Sequence, residues 1–260
     1  MNYKPIYLVL TITLLASLGC KQYQISGSEL TNTSLDSTYV ADSSAESLIS
    51  VYREGLDSVM NVVLTQARNT LTKGSPEGTL GNLCSDIVYE TANNWIEANQ
   101  PTYKDKLNFA LLNNGGLRAQ IDSGDVTTGD MFRLMPFENE IVILELSGYK
   151  MTELINYVQT KSLLSGRKGG VPISKEFKLT VDSVKISSVC IVNNKAFDSR
   201  QSYFVATSDY LANGGDNMSF FTDPINTIKT GIKIRDSFID GVSEMKLIQG
   251  KLDRRISYAP

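Results

Sequence analysis

Between Glu46 and Met60, apolar residues at Leu48, Val51, Tyr52, Leu56 and Val59 recur at helical spacing and predict a first helix. A stronger pattern runs from about Thr79 to Ala98. Its apolar face is Leu80, Leu83, Ile87, Val88, Thr91 and Trp95, with polar residues opposite. Thr127 can cap a short helix, Thr128 to Leu134, that must stop before Pro136. Ser147 starts another, with Met151, Leu154, Ile155 and Val158 inward. A last helix, from about Arg235 to Lys246, shows Phe238, Ile239, Val242 and Met245 on one side. Strand patterns lie between these. Val62 to Ala67 is short, and Leu107, Phe109 and Leu111 alternate with polar or small residues up to Asn113-Asn114-Gly115-Gly116. Glu140 to Leu146 is apolar on both faces, which predicts a central strand. From Gly169 the chain turns β-rich: Glu176–Val181, Val184–Val192 and Ser202–Thr207 read as strands, with Asn193-Asn194-Lys195 a tight turn between two of them. The sum is an α+β fold with helices packed on antiparallel sheet.

A chain of 260 residues, 42% hydrophobic and 20% charged, can bury one sizeable core. Its net charge of −3 and pI of about 5.2 argue against a nucleic-acid surface, which would be basic. The start changes the picture more. One positive charge in Met1–Lys4 precedes an apolar run, Ile6 to Ala16, and then Ser17-Leu18-Gly19-Cys20. The run is shorter than the ~20 residues that span a bilayer, so residues 1–19 read as a signal peptide. Cys20 after a small residue resembles the lipobox of bacterial lipoproteins, in which this cysteine becomes the lipidated first residue. The alternative is an ordinary cleaved signal with an incidental cysteine. The lipobox reading predicts an exported protein held to a bacterial membrane by its lipid alone, on the periplasmic side or the cell surface. Residues 20–45, rich in Ser, Thr, Asp and Gly, read as a flexible tether, and 46–260 as the folded domain. Cys84 and Cys190 lie in apolar patterns and are expected as two buried thiols rather than one disulfide.

The chain contains no histidine. That removes His-dependent triads, imidazole acid–base chemistry and His-ligated metal centres together. No Cys-x-x-Cys pair or phosphate loop occurs, and no Asp/Glu cluster is spaced like a metal site, so neither a catalytic residue nor a metal ligand is assigned. Ser147-Gly148-Tyr149-Lys150, Ser208-Asp209-Tyr210 and Lys229-Thr230-Gly231 follow the order of the three motifs of penicillin-recognising serine enzymes. The second lacks its Asn, and the interval to the third is too short for that fold.

Two segments look built for ligand contact. Asn113-Asn114-Gly115-Gly116-Leu117-Arg118 follows a strand; its paired glycines let the backbone approach a ligand, and Arg118 offers a planar fork of donors. Asp209-Tyr210-Leu211-Ala212-Asn213-Gly214-Gly215-Asp216 also follows a strand and sets an acidic residue just past a glycine turn. With Pro136-Phe137 between them, these segments resemble, in order and spacing, the C-terminal domain of the 5′-nucleotidase family. Leu80-Gly81-Asn82-Leu83, Asp86, Gly169-Gly170 and Arg255-Ile256 support the resemblance, which covers roughly Val62 to Ile256.

The resemblance implies a layered α-β-β-α arrangement and roles by position. Phe137 and Tyr210 match the two aromatics that sandwich the nucleobase, and Asp216 the carboxylate that accepts ribose hydroxyls. Asn113 and Arg118 match residues on the ribose and phosphate side, Gly115 lies in their loop, and Gly170 lines the pocket. Ser75-Pro76-Glu77 lacks an arginine that the family usually carries ahead of the Leu-Gly-Asn-Leu helix. The family's catalytic domain, with two metal ions on His, Asp and Asn ligands, is expected to be absent here. No cofactor is therefore expected in this chain, and divalent metals only in a partner. The expected function is the nucleoside- or nucleotide-recognition half of a split 5′-nucleotidase, acting with a separately encoded metallophosphoesterase. The alternative is a surface nucleoside- or nucleotide-binding lipoprotein with no catalytic partner.

Overall fold

A computed structural model of the chain describes residues 42–164, 170–182 and 187–259, besides the isolated positions Asn32 and Val40. The expected signal peptide, Cys20 and nearly all of the expected tether lie outside the described residues. The chain divides into two units, Met1–Ile49 and Ser50–Pro260. The first is described mainly by the start of helix α1 (Ser43–Met60), which opens inside the stretch read as tether. The reason is a cap: the Asp42 carboxylate accepts the backbone N–H groups of Ser44 at 2.8 Å and Ala45 at 3.2 Å. The helix expected from the periodicity is present, yet none of its residues is buried. Leu48, Val51, Tyr52, Leu56 and Val59 are each more than half exposed.

Strand β1 (Val63–Ala67) and the long helix α2 (Thr79–Asn99) follow, then β2 (Leu107–Ala110), β3 (Gly124–Thr127) and α3 (Thr128–Leu134). Next come β4 (Glu140–Ser147), α4 (Gly148–Gln159), β5 (Phe177–Asp182), β6 (Ser187–Val192), β7 (Lys195–Ala196) and β8 (Ser202–Ser208). The short helix α5 (Asp209–Ala212), β9 (Asn226–Lys233), α6 (Ile234–Ser243) and β10 (Ile256–Tyr258) complete the order. Helix α3 starts where its residues dictate. Thr127 accepts from the N–H of Asp130, and Asp130 accepts from the N–H of Thr127, a reciprocal capping box.

One four-stranded sheet has the order β2-β8-β4-β9, another β10-β5-β6-β7, and β1 pairs with β3 in a small third sheet. The expected antiparallel sheet needs correcting, because each four-stranded sheet holds one parallel pair, β2 with β8 and β5 with β10. Strand β4 is central, as its doubly apolar pattern predicts. Ile141 and Ile143 enter a core shared with α2, α3 and α6, while Val142, Leu144 and Leu146 enter a second core shared with β5, β6 and α4. Period-two alternation thus feeds both faces: α2, α3 and α6 pack on one side of this sheet, and α4 and the second sheet on the other, where β5 leaves Lys178, Thr180 and Asp182 outside the core.

The buried face of α2 is rotated from the one expected. Leu80, Cys84, Ile87, Val88, Ala92 and Ile96 are innermost, while Leu83 and Trp95 pack at the margin. The small or polar residues Gly81, Cys84, Ser85 and Ala92 share this buried face, so the spacing of the large apolar side chains alone misplaces its centre. Cys84 and Cys190 are free, buried thiols, as expected, and burial pushes the Cys190 thiol up to about 12. The Asp86 and Arg255 singled out in the sequence form a staple. The Arg255 side chain, 4% exposed, makes two bonds to Asp86 at 2.7 and 2.8 Å and two to Asp253 at 2.8 and 3.1 Å. It also donates to the Ile173 carbonyl at 2.8 Å, so one guanidinium ties α2, the segment before β5 and the start of β10.

Candidate functional site

Strands β2 and β8 run parallel side by side, so the loops that leave their C-terminal ends emerge on the same edge of the sheet. Strand β4, antiparallel to β8, begins at that edge. The topology therefore brings three segments together: Asn113–Arg118 after β2, Pro136–Asn139 ahead of β4, and the stretch from Asp209 after β8. They enclose a cleft of about 360 Å³ lined by Asn113, Gly115, Gly116, Arg118, Phe137, Asn139, Tyr210 and Asp216. Six of the seven residues expected to hold a ligand thus share one cavity. Gly170, the seventh, lines an adjoining cleft that shares Asn113, Gly115 and Asp216 with the first.

Phe137 is 42% exposed and Tyr210 is 47% exposed, so two large rings stand open to solvent at the cleft instead of filling a core. Both are held from behind. The Asp209 carboxylate accepts the N–H of Tyr210 at 2.8 Å and the N–H of Glu140 at 3.3 Å, which fixes the two aromatic-bearing loops to one another. On the far side of Phe137, Glu138 pairs with Arg235 and Lys233, and these hydrogen bonds hold its carboxyl well below the ordinary range, at about 2. The Ile234 N–H donates to the Asn139 carbonyl at 2.9 Å. The ring of Phe137 therefore sits on a braced turn.

Asp216 is organised by its neighbours. Its carboxylate accepts from Asn113 Nδ2 at 2.6 Å on one oxygen and from the Tyr210 hydroxyl at 3.0 Å on the other. The Tyr210 oxygen in turn accepts the Asp216 N–H at 3.3 Å, and the Tyr157 hydroxyl donates to the Asp216 carbonyl at 3.0 Å. Burial, with the Asp216 charge adding to it, raises the Tyr157 phenol above its ordinary value, so it stays a donor. An ionised carboxylate offers about four acceptor positions. Two are filled here, which leaves room for two further donors from a ligand. Gly215 is required by the ring: a Cβ there would lie 2.5 Å from a Tyr210 ring carbon. Gly170 has φ +97°, and a Cβ on it would come within 2.1 Å of the Gly74 carbonyl oxygen.

Asn139, Asp209, Tyr157 and Lys161 escaped the sequence reading as individual contributors. Tyr157 and Lys161 carry no local signal, since they reach the site only through the packing of α4. Ser147 and Ser208 are helix N-caps, accepting from the N–H of Lys150 at 3.3 Å and of Leu211 at 3.1 Å. They lie toward opposite ends of the β4–β8 ladder, where Ser208 faces Ile141 and Ser202 faces Ser147. At about 3.3 Å per residue this separates them by roughly 20 Å, so the serine-enzyme motifs do not assemble. The chain has no histidine, and among the described residues no group of three or more Cys, Asp or Glu is placed to hold a metal ion.

The family model described as "5′-nucleotidase, C-terminal domain" matches residues 59–223. An apyrase of Tabanus yao is 25% identical over 197 residues, covering 69% of this chain and 35% of that protein. A 5′-nucleotidase of Vibrio cholerae is 29% identical over 126 residues, covering 48% of this chain and 22% of its own length. The fold is similar to that of a 5′-nucleotidase precursor from Thermus thermophilus, with a TM-score of 0.66 at 21% identity over 82% of this chain and 43% of that one. In each case the chain spans less than half of the relative. With the family model covering more than half of its residues, this chain belongs to the 5′-nucleotidase C-terminal domain family.

Proposed function

We propose that this chain is the nucleoside- or nucleotide-recognition half of a split 5′-nucleotidase, exported and lipid-anchored through Cys20, with phosphate release performed by a separate metallophosphoesterase. The observation that carries the reading is the meeting of Phe137, Tyr210 and Asp216 in one open cleft. Two exposed rings on braced loops suit the two faces of a nucleobase. A carboxylate with free acceptor positions beside them suits the hydroxyls of a ribose. Arg118 and Asn113 extend the donor set along the sugar, and Gly115 lets the backbone approach it.

Hydrolysis is assigned elsewhere because this chain supplies neither an activated nucleophile nor a set of metal ligands among its described residues. The purified chain with Mn²⁺ or Zn²⁺ is expected to release no phosphate from AMP, and adding an exported metallophosphoesterase encoded beside it restores release. Robust hydrolysis by the single chain contradicts the reading. Adenosine binding that persists while no such partner restores hydrolysis points instead to a capture lipoprotein.

The anchor rests on the Ser17-Leu18-Gly19-Cys20 pattern after a short apolar run. Among the described residues no helix is long and apolar enough to cross a membrane. A palmitate analogue is expected to label the wild type and not Cys20→Ala. An unlabelled wild type counts against the lipid.

A further inference from the structure

We infer that the valley between α2 and α6 is a docking groove for a basic amphipathic helix of a partner protein. The groove holds about 650 Å³ and shares no lining residue with the ligand cleft or the cleft adjoining it. The inference therefore goes beyond the nucleoside reading and does not rest on it.

The floor of the groove follows α2. Leu83, Ile87, Thr91 and Trp95 line it at intervals of four residues, so it runs along about 18 Å of the helix at 1.5 Å per residue. Ile232 and Met245, just before and just after α6, complete the floor. Leu83, Trp95, Ile232 and Met245 pack on the core and yet stay only partly buried, so apolar surface faces the groove. Gly241 sets how closely the helices approach beneath it, since a Cβ there would lie 2.6 Å from the Ile87 side chain. An apolar floor spanning three helical turns suits the i, i+3, i+4 and i+7 side chains of a docked helix better than a compact small molecule.

The rims are acidic. Asp86 and Glu90 stand on α2, Asp240 on α6, and Glu244 at the C-cap of α6. Lys175 is the cation of this lining and is already spent on Glu90 at 3.2 Å, while Asp86 is held by Arg255. Asp240 and Glu244 form no ion pair with a described residue. They are like charges four residues apart at the C-terminal end of a helix, where the helix dipole also opposes them. A lysine or arginine laid along the rim relieves both costs. Helix α1, itself amphipathic and exposed, carries the wrong charge for this, with Glu46, Glu54 and Asp57 against Arg53. The same rims repel an anionic lipid surface. Charge complementarity thus selects a foreign helix whose apolar face is flanked by basic residues.

Trp95 is the only tryptophan of the chain, so its fluorescence reports on this groove alone. The test is titration of the full chain with a synthetic helical peptide of leucine and lysine, the leucines on one face. The peptide is expected to shift Trp95 emission to the blue, saturably, as the indole loses water, and more weakly as salt is raised. The double variant Asp240→Asn with Glu244→Gln should bind roughly three- to tenfold more weakly, as the loss of two exposed ion pairs would give. It should melt at or above the wild-type temperature, because a repulsion has been removed. A peptide with serines in place of the leucines should leave Trp95 unchanged. No shift in the wild type, equal binding by the double variant, or an equal response to the serine peptide overturns the inference. A shift produced by phosphatidylcholine vesicles in place of the peptide, or by raising the protein concentration alone, overturns it in favour of lipid or of a second copy.

Discussion

Arg255→Met is expected to destabilise the domain by about 3 kcal/mol, the lower end for breaking a buried ion pair. For a domain of this size the melting temperature should fall by roughly 10 °C. The lower end applies because Asp86 and Asp253 keep 26% and 45% of their side-chain surface exposed and can regain water. The main loss lies deeper. Methionine fills the volume of the aliphatic stem but leaves the Ile173 carbonyl without its 2.8 Å donor and removes the tie between α2 and β10. Arg255 is remote from the cleft lining, so nucleoside affinity of the variant, measured well below its melting temperature, should match the wild type. A melting temperature within a degree of the wild type would show that the staple is energetically idle.

The second large effect concerns the rings. Phe137→Ala and Tyr210→Ala are each expected to weaken adenosine binding by about 1–3 kcal/mol, the range for one base–aromatic stack. Tyr210→Phe separates stacking from hydrogen bonding. It keeps the ring, which rests on the backbone of Gly215, and deletes the hydroxyl that donates to Asp216 and accepts its N–H. The hydroxyl fills one of the acceptor positions of Asp216 and leaves others free, so it organises the carboxylate more than it competes for it. Tyr210→Phe should therefore lose about 0.5–1.5 kcal/mol, less than Tyr210→Ala. Tighter binding by Tyr210→Phe would mean that the hydroxyl blocks the ribose position.

Much of this site could be read from the chain because its parts are local. Glycine pairs after strands mark loops whose backbone can approach a ligand, and the pattern of Glu140–Leu146 marks a strand between two cores. The Thr127 cap fixes where α3 begins, and so where Pro136 must turn the chain toward Phe137. What was not legible depends on pairing across long intervals. The two glycine loops meet because β2 lies parallel to β8, a contact joining Asn108 to Phe204, 96 residues apart. No periodicity in either strand specifies that neighbour, and none announced the one parallel pair within each otherwise antiparallel four-stranded sheet. Asp209 was visible as an acidic residue beside Tyr210, but its reach to the Glu140 N–H depends on the β4–β8 register. Lys161 reads in sequence as one more solvated charge after a helix. Only the packing of α4 against the Asp216 loop turns it toward the cleft. The apolar spacing of α1 gave the helix correctly but not its burial, because periodicity describes a face and not what covers it.

The central claim is that Asp216 reads the hydroxyls of a ribose while the rings hold its base. Titrating the wild type and Asp216→Ala with adenosine and with 2′,3′-dideoxyadenosine tests it most directly. The wild type should prefer adenosine by about 1.5–3 kcal/mol, the value of hydrogen bonds to a charged acceptor, and Asp216→Ala should bind the two ligands equally. Equal binding of both ligands by the wild type, or a preference that survives in Asp216→Ala, would contradict the account.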